Sequence, residues 1–180
     1  MSYFAAAAVR GSDRWSAAEL DLSTAADIEE VADLLREVDL DAEISLLFVE
    51  SDETYLVILR LDEGEDLRVF GSDSAFAEES RLGALLLGDI GEPALEIDDL
   101  TAEVEVPDEI DEPDEADAVD LTIEPDVEPV GDPDLLADLG VPAKQLLDLC
   151  SREGTLPSDV TAEVCQAIGC GDAMEELRER

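Results

Sequence analysis

The sequence predicts an α+β domain built on a largely antiparallel five-stranded sheet, followed by a small helical module. Two observations carry this. Through residue 88 the apolar residues come in strand-length stretches separated by short turn signals, with one helical-period segment interrupting them. After residue 134 the apolar spacing becomes helical and stays so. The order is ββαβββα. Hairpin-length connections make the sheet mainly antiparallel, with helices over one face.

The first strand has Tyr3, Ala5, Ala7 and Val9 on one face and ends at the turn Gly11-Ser12-Asp13. A second runs from Trp15 to Leu22 and closes a hairpin. Ser23 or Thr24 is the expected cap of a helix carrying Ile28, Val31, Leu34, Leu35 and Val38 on its inner face. Ile44–Val49 is a buried strand, Tyr55–Leu61 the next, and Leu67–Phe70 a short fifth. Ser72 is the expected cap of a helix through Phe76, and Leu82–Leu87 ends the block. This order of elements resembles that of longin-, roadblock- and profilin-like domains, a likeness of topology only.

Charge divides the chain into three: an α+β domain at 1–88, a linker at 89–134 and a helical bundle at 135–180. The first block holds 21 acidic and 6 basic residues, the second 20 and none, the third 9 and 4. Six of the eight prolines fall in the middle block. Self-repulsion and proline keep such a stretch from burying enough surface to offset its ordering entropy, so a disordered linker is expected. Random-coil scaling separates its ends by about 40 Å. Leu121-Thr122-Ile123 could pair as a strand with a partner's edge.

In the last block, Asp132 or Pro133 opens a segment through Leu139 that is stopped by Gly140. Pro142 begins a helix with Leu146, Leu147, Leu149 and Cys150, which runs to Gly154. Ser158 caps a third with Val160, Val164, Cys165 and Ile168, ended by Gly169. A final turn or two follows from Asp172. About 45 residues is near the lower limit for independent folding, so this block is marginal alone or docked on something.

Composition excludes several functions. A net charge of -40 repels a phosphate backbone, so no direct nucleic-acid binding is expected. The absence of histidine removes Ser-His-Asp and Cys-His pairs and His-bearing zinc sites. Nothing singles out an acid/base pair among 50 carboxylates, so no catalytic residue, cofactor or metal is assigned. Three cysteines without a C-x-x-C form neither a disulfide framework nor a metal site and are expected to be buried. The apolar N-terminus lacks the features of a signal peptide, and no apolar run has the ~20 residues of a membrane span. A cytoplasmic, non-catalytic protein that works by contact is expected.

The acidic tract is a tether, a phosphate mimic or a weak ion sponge. It lacks the spacing and glycine of a calcium loop. Residues 139–147 have the cadence of a helix-turn-helix, but Lys144 alone cannot serve DNA, and a packing module is expected. Trp15 and Tyr55 are core residues or anchors of a protein interface, and Leu121 and Ile123 are the other candidate partner contacts.

Two stretches carry a resemblance. Ser2-Tyr3-Phe4-Ala5-Ala6, with Trp15 and Glu19-Leu20, forms the first. The second is residues 134–141, followed by Leu146-Leu147-Asp148-Leu149-Cys150 and Gly154-Thr155-Leu156-Pro157. Together they resemble the actinobacterial tRNA adenosine deaminase-associated proteins. The resemblance implies an accessory protein that binds the enzyme forming wobble inosine and modulates or stabilises it. The chain lacks the H-x-E and P-C-x-x-C signature of the deaminase itself. The rival reading is an acidic scaffold or homodimer that uses a sheet edge and is unrelated to tRNA modification.

Overall fold

The computed structural model describes residues 3–12, 14–51, 54–88, 90, 129–152 and 154–180. Strands β1 (Tyr3–Arg10) and β2 (Trp15–Glu19) form the opening hairpin, and α1 (Ile28–Val38) follows. Then come β3 (Ile44–Ser51), β4 (Tyr55–Asp62) and β5 (Asp66–Gly71), a meander, with α2 (Ala75–Glu79) and α3 (Arg81–Leu87) after it. Beyond the acidic stretch lie β6 (Val130–Gly131), a 3-10 helix (Pro133–Leu139), α4 (Ala143–Ser151), α5 (Pro157–Ile168) and α6 (Gly171–Arg178).

The ββαβββ order of the first block stands, but the sheet has six strands rather than five, in the order β2-β1-β3-β4-β5-β6 with every pair antiparallel. The sixth comes from residues that charge alone assigned to the linker. Since β1 is antiparallel to both neighbours, β2 and β3 run parallel on either side of it, and α1 carries the chain across.

Helices cover both faces of the sheet, not one. On one side Ala5, Ala7, Leu47, Val49, Val57 and Leu59 pack with Val31 and Leu35 of α1, Phe76 of α2 and Leu86 and Leu87 of α3. On the other Ala6, Ala8, Leu46, Phe48, Ile58 and Phe70 pack with Leu135, Leu146, Val160, Val164 and Met174. The register explains the division. Ala6 pairs with Phe48 and Phe48 with Ile58, while Ala7 pairs with Leu47 and Leu47 with Leu59. Alternate residues therefore face opposite layers. The alanines of β1 bring helices close on both sides, with α1 and α6 each in contact with that strand.

The C-terminal block is thus docked, and its core is one face of the sheet. The acidic stretch also leaves and returns at one place. Leu87 lies against Gly71, where an added Cβ would come within 2.8 Å of its side chain, and Val130 is the ladder partner of Gly71. Gly131, with φ 88°, is held so close to β5 that a Cβ would fall 2.1 Å from the Val69 carbonyl oxygen. The ends expected about 40 Å apart are brought together on β5.

Local chemistry moves several boundaries. The α1 cap is Asp27, whose carboxylate accepts the Glu30 N–H at 2.9 Å; Ser23 and Thr24 lie before it. Strand β2 stops at Glu19, and the Leu22 N–H donates to the Tyr3 hydroxyl instead of a ladder. Ser72 is not a cap. It is buried, its Oγ accepting the Leu56 N–H at 3.0 Å, and α2 begins after Ser74. Helix α4 ends at Ser151, before Gly154, and α5 starts at Pro157, so Ser158 sits inside its first turn.

A charged cluster fastens the 3-10 helix to the sheet. Arg60, 4% exposed, lies on the same side as Ile58 and beneath that helix. Its guanidinium donates to the Leu135 carbonyl oxygen at 2.5 Å, to both carboxylate oxygens of Asp138 and, through Nε, to Asp62 at 2.9 Å. Asp62 also accepts from Arg68 at 2.7 Å, bridging two arginines that face each other across β4 and β5.

Hydrogen bonds from Arg60 hold the Asp138 carboxyl below its usual range, with burial opposing. Asp138→Asn should cost about 1–2 kcal/mol near neutral pH, because the pair is charge-assisted but its acidic side is exposed. A depressed carboxylate contributes stability above its unfolded value and loses it as pH falls through the lower folded value. The difference between wild type and variant should therefore shrink on acidification below about pH 4. Denaturant titrations at neutral and acidic pH check this; a difference that stays constant would show that the cost does not come from the ionised pair.

Candidate protein-interaction surface

The folded body uses many of its few cations internally. Arg36 bonds Asp33 and the Gly64 carbonyl, Arg60 and Arg68 share Asp62, Arg152 lies 3.8 Å from Glu163, and Arg178 pairs with Glu50 over the Phe4 ring. Among the described residues Arg10, Arg14, Arg81, Lys144 and Arg180 enter no ion pair. Among the described residues most carboxylates enter no ion pair, and with a net charge of -40 the protein presents a negative field to any approaching molecule.

Trp15 and Tyr55 do not meet. Trp15 opens edge strand β2, half-buried against the layer of α4, α5 and α6. It lines a groove with Arg14, Ala17, Leu177 and Arg180, between β2 and α6. Tyr55 opens β4 and packs into the opposite layer. Its ring stacks on Phe76 at 4.9 Å between centroids and its hydroxyl donates to Glu79. Tyr55 is thus engaged within the molecule, whereas Trp15 stands at an edge. Leu121 and Ile123 lie outside the described residues.

Cys165 and Cys170 are buried, and Cys150 nearly so. Burial pushes the Cys150 thiol up to about 12. The Cys165 thiol is raised by its hydrogen bond with Cys170 and by burial. The Cys150 and Cys165 thiols stay protonated near neutral pH and are poor nucleophiles. Among the described residues no group of three or more His, Cys, Asp or Glu side chains is placed to hold a metal ion, and no helix is long and apolar enough to cross a membrane.

The fold and surface define an acidic α+β protein with a two-sided antiparallel sheet and, among the described residues, a tryptophan on the edge strand β2. A family model described as Rv3753c-like tRNA adenosine deaminase-associated protein matches residues 3–171, and the chain belongs to that family. No curated protein and no solved structure matches. The likeness to longin-, roadblock- and profilin-like domains therefore rests on the order of elements along the chain alone.

The Arg60 cluster and the groove beside β2 were missed in the sequence. A signal for the first was present: Arg60 follows Leu56 and Ile58 at the same strand parity, and a charge at an inward position requires a partner. No signal marked the groove, because α6 is far from Trp15 in the chain.

Proposed function

We propose that this protein is a non-catalytic accessory factor that binds tRNA adenosine deaminase and modulates or stabilises it. Membership of a family described by its association with that enzyme carries the reading. The charge supports a mode of action. A net -40 repels tRNA, while an enzyme that binds tRNA needs a cationic face, to which an acidic protein is steered. The two would then compete for that face, or the factor would shield it while tRNA is absent.

The test mixes purified deaminase with this protein across a salt series, followed by light scattering. A complex at low salt that weakens as salt rises is expected, with tRNA displacing it. Absence of any complex at low salt would remove the proposal.

A further inference from the structure

We propose that the outer edge of β2, which pairs with no further strand among the described residues, is a homodimer seam, joining two copies into one continuous sheet. This goes beyond the accessory reading and stands or falls separately from it. The Leu20 N–H donates to the Ala5 carbonyl at 2.9 Å and the Gly11 N–H to the Arg14 carbonyl at 3.2 Å. With Ala8 opposite Ala17, the alternation turns the backbone groups of Ser16 and Ala18 toward β1 and those of Trp15, Ala17 and Glu19 outward. The outward row carries no proline or lysine, the usual guards of an exposed edge. The other edge, β6, is two residues long and followed closely by Pro133.

Charge selects a second copy as the occupant. Antiparallel pairing about Ala17 sets Trp15 opposite Glu19 of the second copy and Glu19 opposite its Trp15. The three facing pairs exchange about six backbone hydrogen bonds. Arg14 and Arg180 line the groove beside Trp15, and neither enters an ion pair among the described residues. Glu19 is exposed and also enters none. The two-fold brings the acidic end of each strand to the cationic end of the other, so the strand is self-complementary. Two molecules of net -40 repel at long range, so the dimer should tighten with salt as that repulsion is screened.

Trp15 is the sole tryptophan, so its fluorescence reports on this edge. Sedimentation velocity and tryptophan emission are followed against protein concentration at low and molar salt. The expected result is a rise from 19.4 kDa to twice that mass, with a blue shift of emission, favoured by salt. Ala17→Pro removes an outward N–H that β1 does not use and should weaken association about ten-fold or more while the fold is kept. If that variant loses its native circular dichroism, Glu19→Arg carries the test, with a similar loss expected. A wild-type chain that stays monomeric at about 100 μM in molar salt overturns the proposal. So does undiminished association in a folded variant.

Discussion

A chain ending at residue 128 is expected to lose its native state, although the charge pattern makes the N-terminal block look self-sufficient. Removing residues 129–180 uncovers Leu46, Phe48, Leu56, Ile58 and Phe70, each at most 1% exposed in the whole protein. At about 1.5–3 kcal/mol per large apolar side chain, five of them forfeit roughly 10 kcal/mol. That is of the order of a domain's entire stability, about 5–15 kcal/mol. The truncated chain should aggregate or bind a hydrophobic dye, with weak near-ultraviolet circular dichroism. Cooperative unfolding at close to the full-length midpoint would show that the second helical layer is an accessory.

Excising residues 91–128 and bridging the gap with a short Gly/Ser connection should have the opposite effect on stability. Leu87 and Val130 both meet Gly71, so their backbones stand about 10 Å apart, a gap a few residues span. Loop-closure entropy favours the shorter connection by about 1–2 kcal/mol, and removal of 17 carboxylates with no cation relieves repulsion. A raised melting temperature is expected. Under the proposed function, binding to a cationic enzyme face should weaken and lose much of its salt dependence. Undiminished binding would place recognition on the folded body, and failure to fold would refute the closed-end geometry.

The same two deletions show where the sequence was legible. Strand and helix positions in the first block came from apolar spacing, because that spacing reflects which side of each element is dry. The two-sided sheet was legible in principle. Ile44–Val49 and Tyr55–Leu61 are nearly continuous apolar runs, and a strand wet on one face alternates instead. Ser72 shows a limit. Serine before a helical stretch is a sound capping signal, yet the same hydroxyl serves a β4 backbone donor, and only the position of β4 decides between them.

Of the candidate contacts, Tyr55 turned inward because Phe76 and Glu79 arrive from α2 to stack on and bond it. Trp15 stayed at the edge because, among the described residues, no strand follows β2 outward in the sheet order. Both are aromatic residues at strand starts, and nothing local distinguishes them.

By itself the sequence determined what this protein is made to avoid and what it must bury: a net -40 and the absence of histidine follow from composition, and the amphipathic segments from periodicity, which is short-range information. The tertiary structure decided which surfaces meet. It set the C-terminal helices on the far face of the sheet, closed the ends of the acidic stretch on Gly71, and left β2 at the edge of the described sheet. Those are contacts between residues distant in the chain, fixed by the packing of layers around the sheet, and no local pattern encodes them.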